Sequence, residues 1–287
     1  MKSIDVVMPT FNSEKPCLKE CLDAIHSEIP VHHLIVVDSG SNDNTVGIAL
    51  QYPRTKLIVE RGVSVAKARQ IGIEKVDTEF FAFVDSDVVL CRGWLENIMS
   101  IMTEETGAVE GLCHYKNELI QKYANSMLKL QWKLYHTKRI RSERAFTGDT
   151  IIRTRSVKGI LIPEWLKVYE DQFIRWFVER NGFNWLRTSE PVAVHDNVRK
   201  TPKAGYEAGR CAHRLGYLSL KRAGRNFLTS IPKGLYGSFD NEDWGLRIFR
   251  YQTALYWNYL MGAVAIHRIL CKKHHSEVEC ARPLVEE

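Results

Sequence analysis

Phe80-Phe81-Ala82-Phe83-Val84-Asp85-Ser86-Asp87 is the stretch on which the reading of this chain turns. Five apolar residues, aromatic or β-branched for the most part, predict a short buried strand. Two carboxylates then stand at its carboxyl end. In extended backbone, residues i and i+2 point to one side, so Asp85 and Asp87 are expected to face a common point. Like charges so close are costly unless a cation neutralises them. Hard divalent ions such as Mg²⁺ take oxygen ligands, typically one or two carboxylates plus phosphate oxygens. The D-x-D is thus a candidate metal–diphosphate site, and a solvated acidic turn is the competing reading.

Outward from this strand the first half of the chain alternates. Ile4–Met8 predicts a strand ending at Pro9, and Leu18, Cys21, Leu22, Ile25 and Ile29 recur at helical spacing. Leu34–Val37 predicts a second strand, closed by the turn-rich Asp38-Ser39-Gly40-Ser41-Asn42-Asp43-Asn44. A third follows at Lys56–Val59, and Ser64 is placed to cap a helix running to about Val76. After Phe80–Val84 come a helix from Trp94 to Met102 and a strand near Ala108–Leu112. Alternating strands and helices imply a mostly parallel sheet with helices on both faces. In such sheets ligands bind beyond the carboxyl ends of the strands. The segments Pro9–Asn12, Asp38–Gly40 and Asp85–Asp87 should therefore share one rim.

The middle of the chain predicts a long helix over Asn117–His136, a strand at Gly148–Arg153, a helix led by Glu170-Asp171, and a short strand at Val192–His195. From about Thr201 the composition turns basic and aromatic, with Arg210, Arg214, Lys221, Arg222, Arg225 and Lys233 following Arg199, Lys200 and Lys203. Such a patch suits an anionic membrane surface, a nucleic acid or a phosphorylated substrate. The apolar run Ala254–Ile266 is too short to span a bilayer, which needs about 20 residues. With Arg247 and Arg250 before it and Arg268, Lys272 and Lys273 after, it resembles an interfacial anchor; a core helix is the alternative.

The 287 residues carry a formal charge of +6 and seven scattered cysteines without a C-x-x-C, which argues against a disulfide framework or zinc ribbon. The chain opens straight into a strand without a signal-peptide pattern, so a cytoplasmic protein is expected, peripheral on the inner membrane face if the tail anchors it. The G-x-G-x-x-G of a dinucleotide-binding oxidoreductase is absent after the first strand.

Read from the residues alone, the constellation supports metal-assisted transfer from a nucleotide. The Asp38 turn could grip a base or ribose, Asp85 and Asp87 could hold Mg²⁺ or Mn²⁺ against a diphosphate, and Glu170 or Asp171 could deprotonate an acceptor hydroxyl. Taken in order, these segments resemble the family 2 glycosyltransferases of the GT-A fold. Val7-Met8-Pro9-Thr10-Phe11-Asn12 is similar to the family's opening V-x-P-T-[FY]-N, and Val36 to Thr45 to its V-V-D-[DS]-G-S-x-D-x-T. Ala66-Lys67-Ala68-Arg69-Gln70-Ile71-Gly72 resembles A-x-A-R-N-x-G, with Gln70 where Asn is usual. The D-x-D and Glu170-Asp171 complete a resemblance over residues 4 to 196.

The resemblance implies an α/β fold of GT-A type over residues 1–200, with a helical, basic and aromatic extension over 201–287. It implies a sugar transferase that moves a sugar from a nucleoside-diphosphate sugar to a hydroxyl of a glycan or lipid-linked acceptor. Pro9, Thr10, Asn12, Asp38, Arg69, Asp85 and Ser86 would bind the donor. Asp87, Asp85 and His195 would hold Mn²⁺ or Mg²⁺. Asp171 would be the general base of an inverting displacement, with Glu170 orienting it or the acceptor. Asp149, which departs from the family's usual residue in the acceptor loop, and Trp165 are acceptor-side candidates. No nucleic-acid partner is expected. A metal-dependent nucleotidyltransferase and a non-catalytic membrane adaptor that binds nucleotide sugar are the alternatives.

Overall fold

The computed structural model describes residues 3–15, 17–135, 144–196, 204–241 and 245–274. Arg199, Lys200 and Lys203 of the basic region lie outside them. The chain divides into two compact units, residues 1–117 with 141–198, and residues 118–140 with 199–287.

The first unit is built on an eight-stranded sheet. Its elements are β1 (Ile4–Thr10), α1 (Leu18–Glu28), β2 (Val31–Asp38), α2 (Thr45–Ala49), β3 (Thr55–Val59), α3 (Val65–Ile73), β4 (Phe80–Val84), β5 (Val88–Leu90), α4 (Trp94–Met99) and β6 (Thr106–Tyr115). The second unit contributes α5 (Glu118–Tyr135); the chain then returns as β7 (Asp149–Arg153), α6 (Glu170–Arg180) and β8 (Asn184–His195). Strand order is β3-β2-β1-β4-β7-β6-β8-β5. β1 pairs in parallel with both β2 and β4, and β2 with β3. β7 is antiparallel to β4 and β6, and β5 is antiparallel to β8. The chain builds outward from β1 through β2 to β3 and then restarts on β1's other side with β4. That reversal lies at β1 and β4, and open α/β sheets bind ligands beyond the carboxyl ends of the strands at such a point.

Alternation along the strands explains the two covered faces. Val6 and Met8 join Leu18, Leu22 and Ile25 of α1 in a buried cluster with Val36, Ala82 and Val84. Val7 faces the other way, against α3, whose Gly72 approaches so closely that a Cβ there would lie 2.2 Å from Val7 Cγ1. Gly72 is therefore a packing requirement of this helix–strand contact. Ser64 caps α3 as its sequence predicts, accepting from the Lys67 N–H at 3.3 Å.

Two strand assignments differ from the sequence reading. β5 has three residues, too few to carry a periodic signal. β8 begins at Asn184 rather than Val192; its exposed Ser189-Glu190-Pro191 interrupts the apolar alternation, and the register against β6 shifts beside it.

The second unit comprises α5 with α7 (Ala204–Arg214), α8 (Leu220–Phe239) and α9 (Gly245–His274). α7 and α9 cross at glycines: a Cβ on Gly209 would meet Tyr259 O at 1.9 Å, and one on Gly262 would meet Tyr206 O at 1.9 Å. Asp240, at the end of α8, accepts from Ser126 Oγ and Lys129 Nζ of α5. Among the described residues no helix is long and apolar enough to cross a membrane.

Candidate active site

The rim above β1, β2 and β4 gathers the predicted segments. Pro9 and Thr10 sit at the end of β1, opposite Val37 and Asp38. Both oxygens of the buried Asp38 are occupied. Oδ1 accepts from the Gly40 and Ser41 N–H groups at 2.9 and 2.7 Å, and Oδ2 from Thr10 Oγ1 and Ser41 Oγ at 2.9 and 2.5 Å. Burial alone would raise the Asp38 pKa, but these donors outweigh it and hold the carboxyl below its ordinary value. Asp38 thereby sets the loop's shape, with Gly40 at φ 94 making the turn. Asn12 adopts φ 49, a left-handed position that asparagine tolerates, and ties the first loop to the second. Its Oδ1 accepts from the Asn42 N–H and its own N–H donates to Ser41 Oγ, each at 2.8 Å.

Asp85-Ser86-Asp87 forms a tight turn between β4 and β5, closed by Val88 N–H to Asp85 O at 3.1 Å. A turn thus stands where extended backbone was expected, and the two carboxylates take different partners. Asp85 Oδ1 accepts from Arg69 Nη2 at 2.6 Å. Asp87 Oδ2 lies 3.2 Å from His195 Nε2. Ser86 Oγ reaches Ser13 Oγ at 2.8 Å, linking the turn to the loop after β1.

Arg69, buried on α3, connects the D-x-D to α6, since its Nη1 pairs with Glu170 Oε1. Burial disfavours the guanidinium's charge, but Asp85, Glu170 and Asp171 outweigh that and raise its pKa. Glu170 is pushed up to about 7 by burial, against the pull of Arg69, and its Oε2 is buried without a hydrogen-bond partner. Asp171 beside it is gripped by Arg144, whose Nη2 and Nε stand 3.0 and 3.2 Å from Oδ2. The Arg144 guanidinium also lies over the Tyr169 ring, 4.3 Å from its centroid. Tyr169, at φ 75, is the left-handed residue that turns the chain into α6. Gln70, the departure from the family's asparagine, holds the loop before α6: its Oε1 accepts from Ile162 N–H at 2.9 Å and its Nε2 donates to Ile160 O at 3.2 Å.

Asp149 pairs with Val84 across β7 and β4, directly beside the D-x-D. It is fully buried, neither oxygen has a hydrogen-bond partner, and burial together with the nearby Glu110 raises its pKa well above the carboxylate range. It lies below the rim, where burial disfavours its charged form. Trp165 stands half-buried in the loop that leads into α6.

Two residues of this region escape sequence reasoning. Arg144 sits in a polar segment that carries no pattern. Glu110, alone in the apolar run of β6, was visible as a charge within a strand. It receives the Trp185 indole N–H at 2.7 Å and the Phe146 N–H at 3.1 Å, so it fixes the loop that leads to Gly148.

This architecture is that of a GT-A-like fold. The family model for glycosyl transferase family 2 matches residues 5–158, more than half of the 287, and the chain belongs to that family. It is 32% identical over 120 residues to an N-acetylglucosaminyltransferase of Bradyrhizobium elkanii, a match covering 39% of this chain and 66% of that one. Its fold is similar to Staphylococcus aureus TarS residues 1–349, solved with UDP-GlcNAc, with a TM-score of 0.54, 18% identity, and 93% and 92% of the two chains covered. It is also similar to glucosyl-3-phosphoglycerate synthase of Mycobacterium tuberculosis, solved with Mn²⁺, UDP-glucose and phosphoglyceric acid. There the TM-score is 0.53, with 18% identity and 74% and 78% of the chains covered. The matched segment spans between 31% and 44% of the length of several other curated relatives.

Proposed function

We propose that this chain is a metal-dependent glycosyltransferase that moves a sugar from a nucleoside-diphosphate sugar to a hydroxyl of a glycan or lipid-linked acceptor. The observation that carries the reading is the meeting of Asp87 with His195, 3.2 Å apart, at the switch-point rim where the Asp38 loop and Glu170-Asp171 also converge. TarS and the phosphoglycerate synthase, which share the fold, were solved with UDP-sugars, the latter with Mn²⁺. A uridine diphosphate sugar is accordingly the first donor to try.

The residues present fit a divalent ion. Asp87 offers a part-exposed carboxylate and His195 a ring whose Nδ1 is buried without a hydrogen-bond partner. Asp85 gives one oxygen, Oδ1, to Arg69, so the ion would be held by Asp87, His195, the second Asp85 oxygen and diphosphate oxygens. When bound, it would supply Lewis-acid stabilisation to the leaving diphosphate. The Asp38 loop, with Pro9, Thr10 and Asn12, would seat the nucleoside. Asp171 takes the acceptor proton in a single inverting displacement, oriented by the Arg144 fork. The unpartnered oxygen and raised pKa of Glu170 favour a second assignment, with Glu170 as the base; a base poised near neutrality suits that work.

The second unit fits a peripheral place on the cytoplasmic membrane face. Leu228, Leu235 and Phe239 are exposed on one stripe of α8, which also bears Lys221 and Arg225, and α9 exposes Leu246, Trp257 and Met261. Apolar side chains bordered by basic ones suit the headgroup boundary.

The test is a panel of nucleotide sugars, with and without Mn²⁺, read first by thermal shift and then by transfer to glycan and lipid-linked acceptors. Metal-dependent stabilisation by one donor, followed by transfer, is expected. Tight donor binding without transfer to any acceptor would favour the adaptor reading. Attachment of nucleoside monophosphate to the acceptor, with sugar phosphate released, would favour nucleotidyl transfer.

A further inference from the structure

At the opposite end of β1 stands a cluster that the donor chemistry does not use. Asp5 is completely buried, and one of its oxygens, Oδ1, lies 3.0 Å from His32 Nδ1 and 3.2 Å from His33 Nδ1. Neighbouring residues of a strand ordinarily point to opposite faces. Here the β1–β2 register runs from Ile4↔Val31 to Val6↔Leu34, so the bulged strand sets His32 and His33 together against Asp5. Their ring centroids are 3.9 Å apart at an interplanar angle of 70°.

We infer that Asp5, His32 and His33 form a binding site for a borderline divalent transition ion of the Zn²⁺ class, separate from the donor site. The three ligand atoms lie within 4.8 Å of one another. Metal–ligand bonds of about 2.0–2.1 Å in a tetrahedron put ligand atoms about 3.3–3.4 Å apart, close to the two spacings from Asp5 Oδ1. Two imidazoles and a carboxylate are a zinc donor set; Mg²⁺ and Ca²⁺ prefer all-oxygen shells. The carboxylate is held from behind, because Oδ2 accepts the Asp77 N–H at 2.7 Å. Such an outer hydrogen bond orients a metal-bound carboxylate. The side chains of His32 and His33 are 39% and 25% exposed, which leaves a solvent path to the buried oxygen. Solvent would occupy the fourth position. Bound to the ion, each ring would give its Nδ1 lone pair and carry its proton on Nε2.

The site cannot be the donor's. Asp5 and Thr10 are five positions apart on one extended strand, about 16 Å, and Thr10 is at the rim. The ion would fasten the bulged start of β2 to β1, so its role is to stabilise the sheet.

The experiment uses the full chain, stripped of metal and carrying Asp87→Ala so that the donor site does not contribute. It is titrated with Zn²⁺ by calorimetry and with Co²⁺ by visible absorption. One equivalent of Zn²⁺, a tetrahedral Co²⁺ spectrum and a raised melting temperature are expected. His32→Ala/His33→Ala in the same background, with circular dichroism confirming the fold, should bind Zn²⁺ more than about 100-fold more weakly. In the Asp87 chain, the same histidine pair should leave sugar transfer with Mn²⁺ unchanged. No tight Zn²⁺ binding, or binding unaltered by the double substitution, would overturn the inference and leave a hydrogen-bonded Asp–His cluster. The donor assignment would stand in either event.

Discussion

His195 Nε2 stands 3.2 Å from Asp87 Oδ2 although 108 positions separate the two residues. The pairing is made by β5, which runs antiparallel to β8 and sets Val88 opposite His195. A strand of three residues thus brings the end of the sheet's last strand to the turn that follows β4.

Replacing Asp87 with Ala is expected to abolish sugar transfer and metal-dependent nucleotide binding, while His195→Ala lowers metal affinity with the fold retained. Titration of Mn²⁺ in a transfer assay, with melting curves as the control for folding, checks both. Full activity of the Asp87 variant would remove the basis for the assignment.

Gly148 is a requirement of the site rather than of the strand. A Cβ there would fall 2.9 Å from Asp85 Oδ2 and 2.3 Å from Phe146 Cζ. Gly148→Ala should push Asp85 off Arg69 and cut transfer at least about tenfold. Stability should fall by about 1–3 kcal/mol, as read by urea unfolding alongside the kinetics.

Glu170 gives stability a pH dependence of predictable sign. Its folded-state pKa of about 7 exceeds the ordinary 4.5, so the folded state holds this proton more tightly than the unfolded chain. The resulting contribution is fully present below about pH 4.5 and is lost as the pH rises toward 7. Glu170→Gln should flatten that segment of the stability profile by on the order of 1–3 kcal/mol. Thermal unfolding of both proteins from pH 4.5 to 8 measures it.

The same pair of acidic residues separates the two base assignments. With Asp171 as the base, Asp171→Asn should bind donor normally and lose transfer by about 10²–10⁴-fold, whereas Glu170→Gln loses less. The reverse order would move the base to Glu170. A pH–rate profile on each variant distinguishes a lost base from a displaced acceptor.

The contact of α3 with β1 is testable by complementation. Gly72→Ala should cost about 1–3 kcal/mol, because its Cβ would lie 2.2 Å from Val7 Cγ1. Adding Val7→Ala removes the obstructing methyl and should recover part of that loss. A double-mutant cycle by chemical denaturation reads the coupling.

Much of this molecule is legible along the chain because its cues are local. The apolar run Phe80–Val84, the cap at Ser64, the glycine turn after Asp38 and the small residues of α3 each express a short-range rule of backbone or packing. Periodicity therefore located β1 through β4 and the rim on which they end. The weaker signals fell where tertiary context prevails. β5 is too short to show a period, and β8 breaks its alternation at Ser189-Glu190-Pro191. Glu110 is a charge within an apolar strand whose partners, Arg187, Trp185 and Phe146, are supplied from elsewhere in the chain.

The residue types proposed for the site, and their order, are legible in the sequence, those at Asp38, Asp85 and Asp87 because each follows a strand whose pattern is readable. Their pairings were decided only by the fold. Asp85 takes Arg69 and Asp87 takes His195, Arg69 joins Asp85 to Glu170, and Arg144 claims Asp171. The physical reason is range. Strand and helix preferences act over a few residues, whereas a buried charge takes whichever partner the sheet order and the register of β5 on β8 bring within hydrogen-bonding distance.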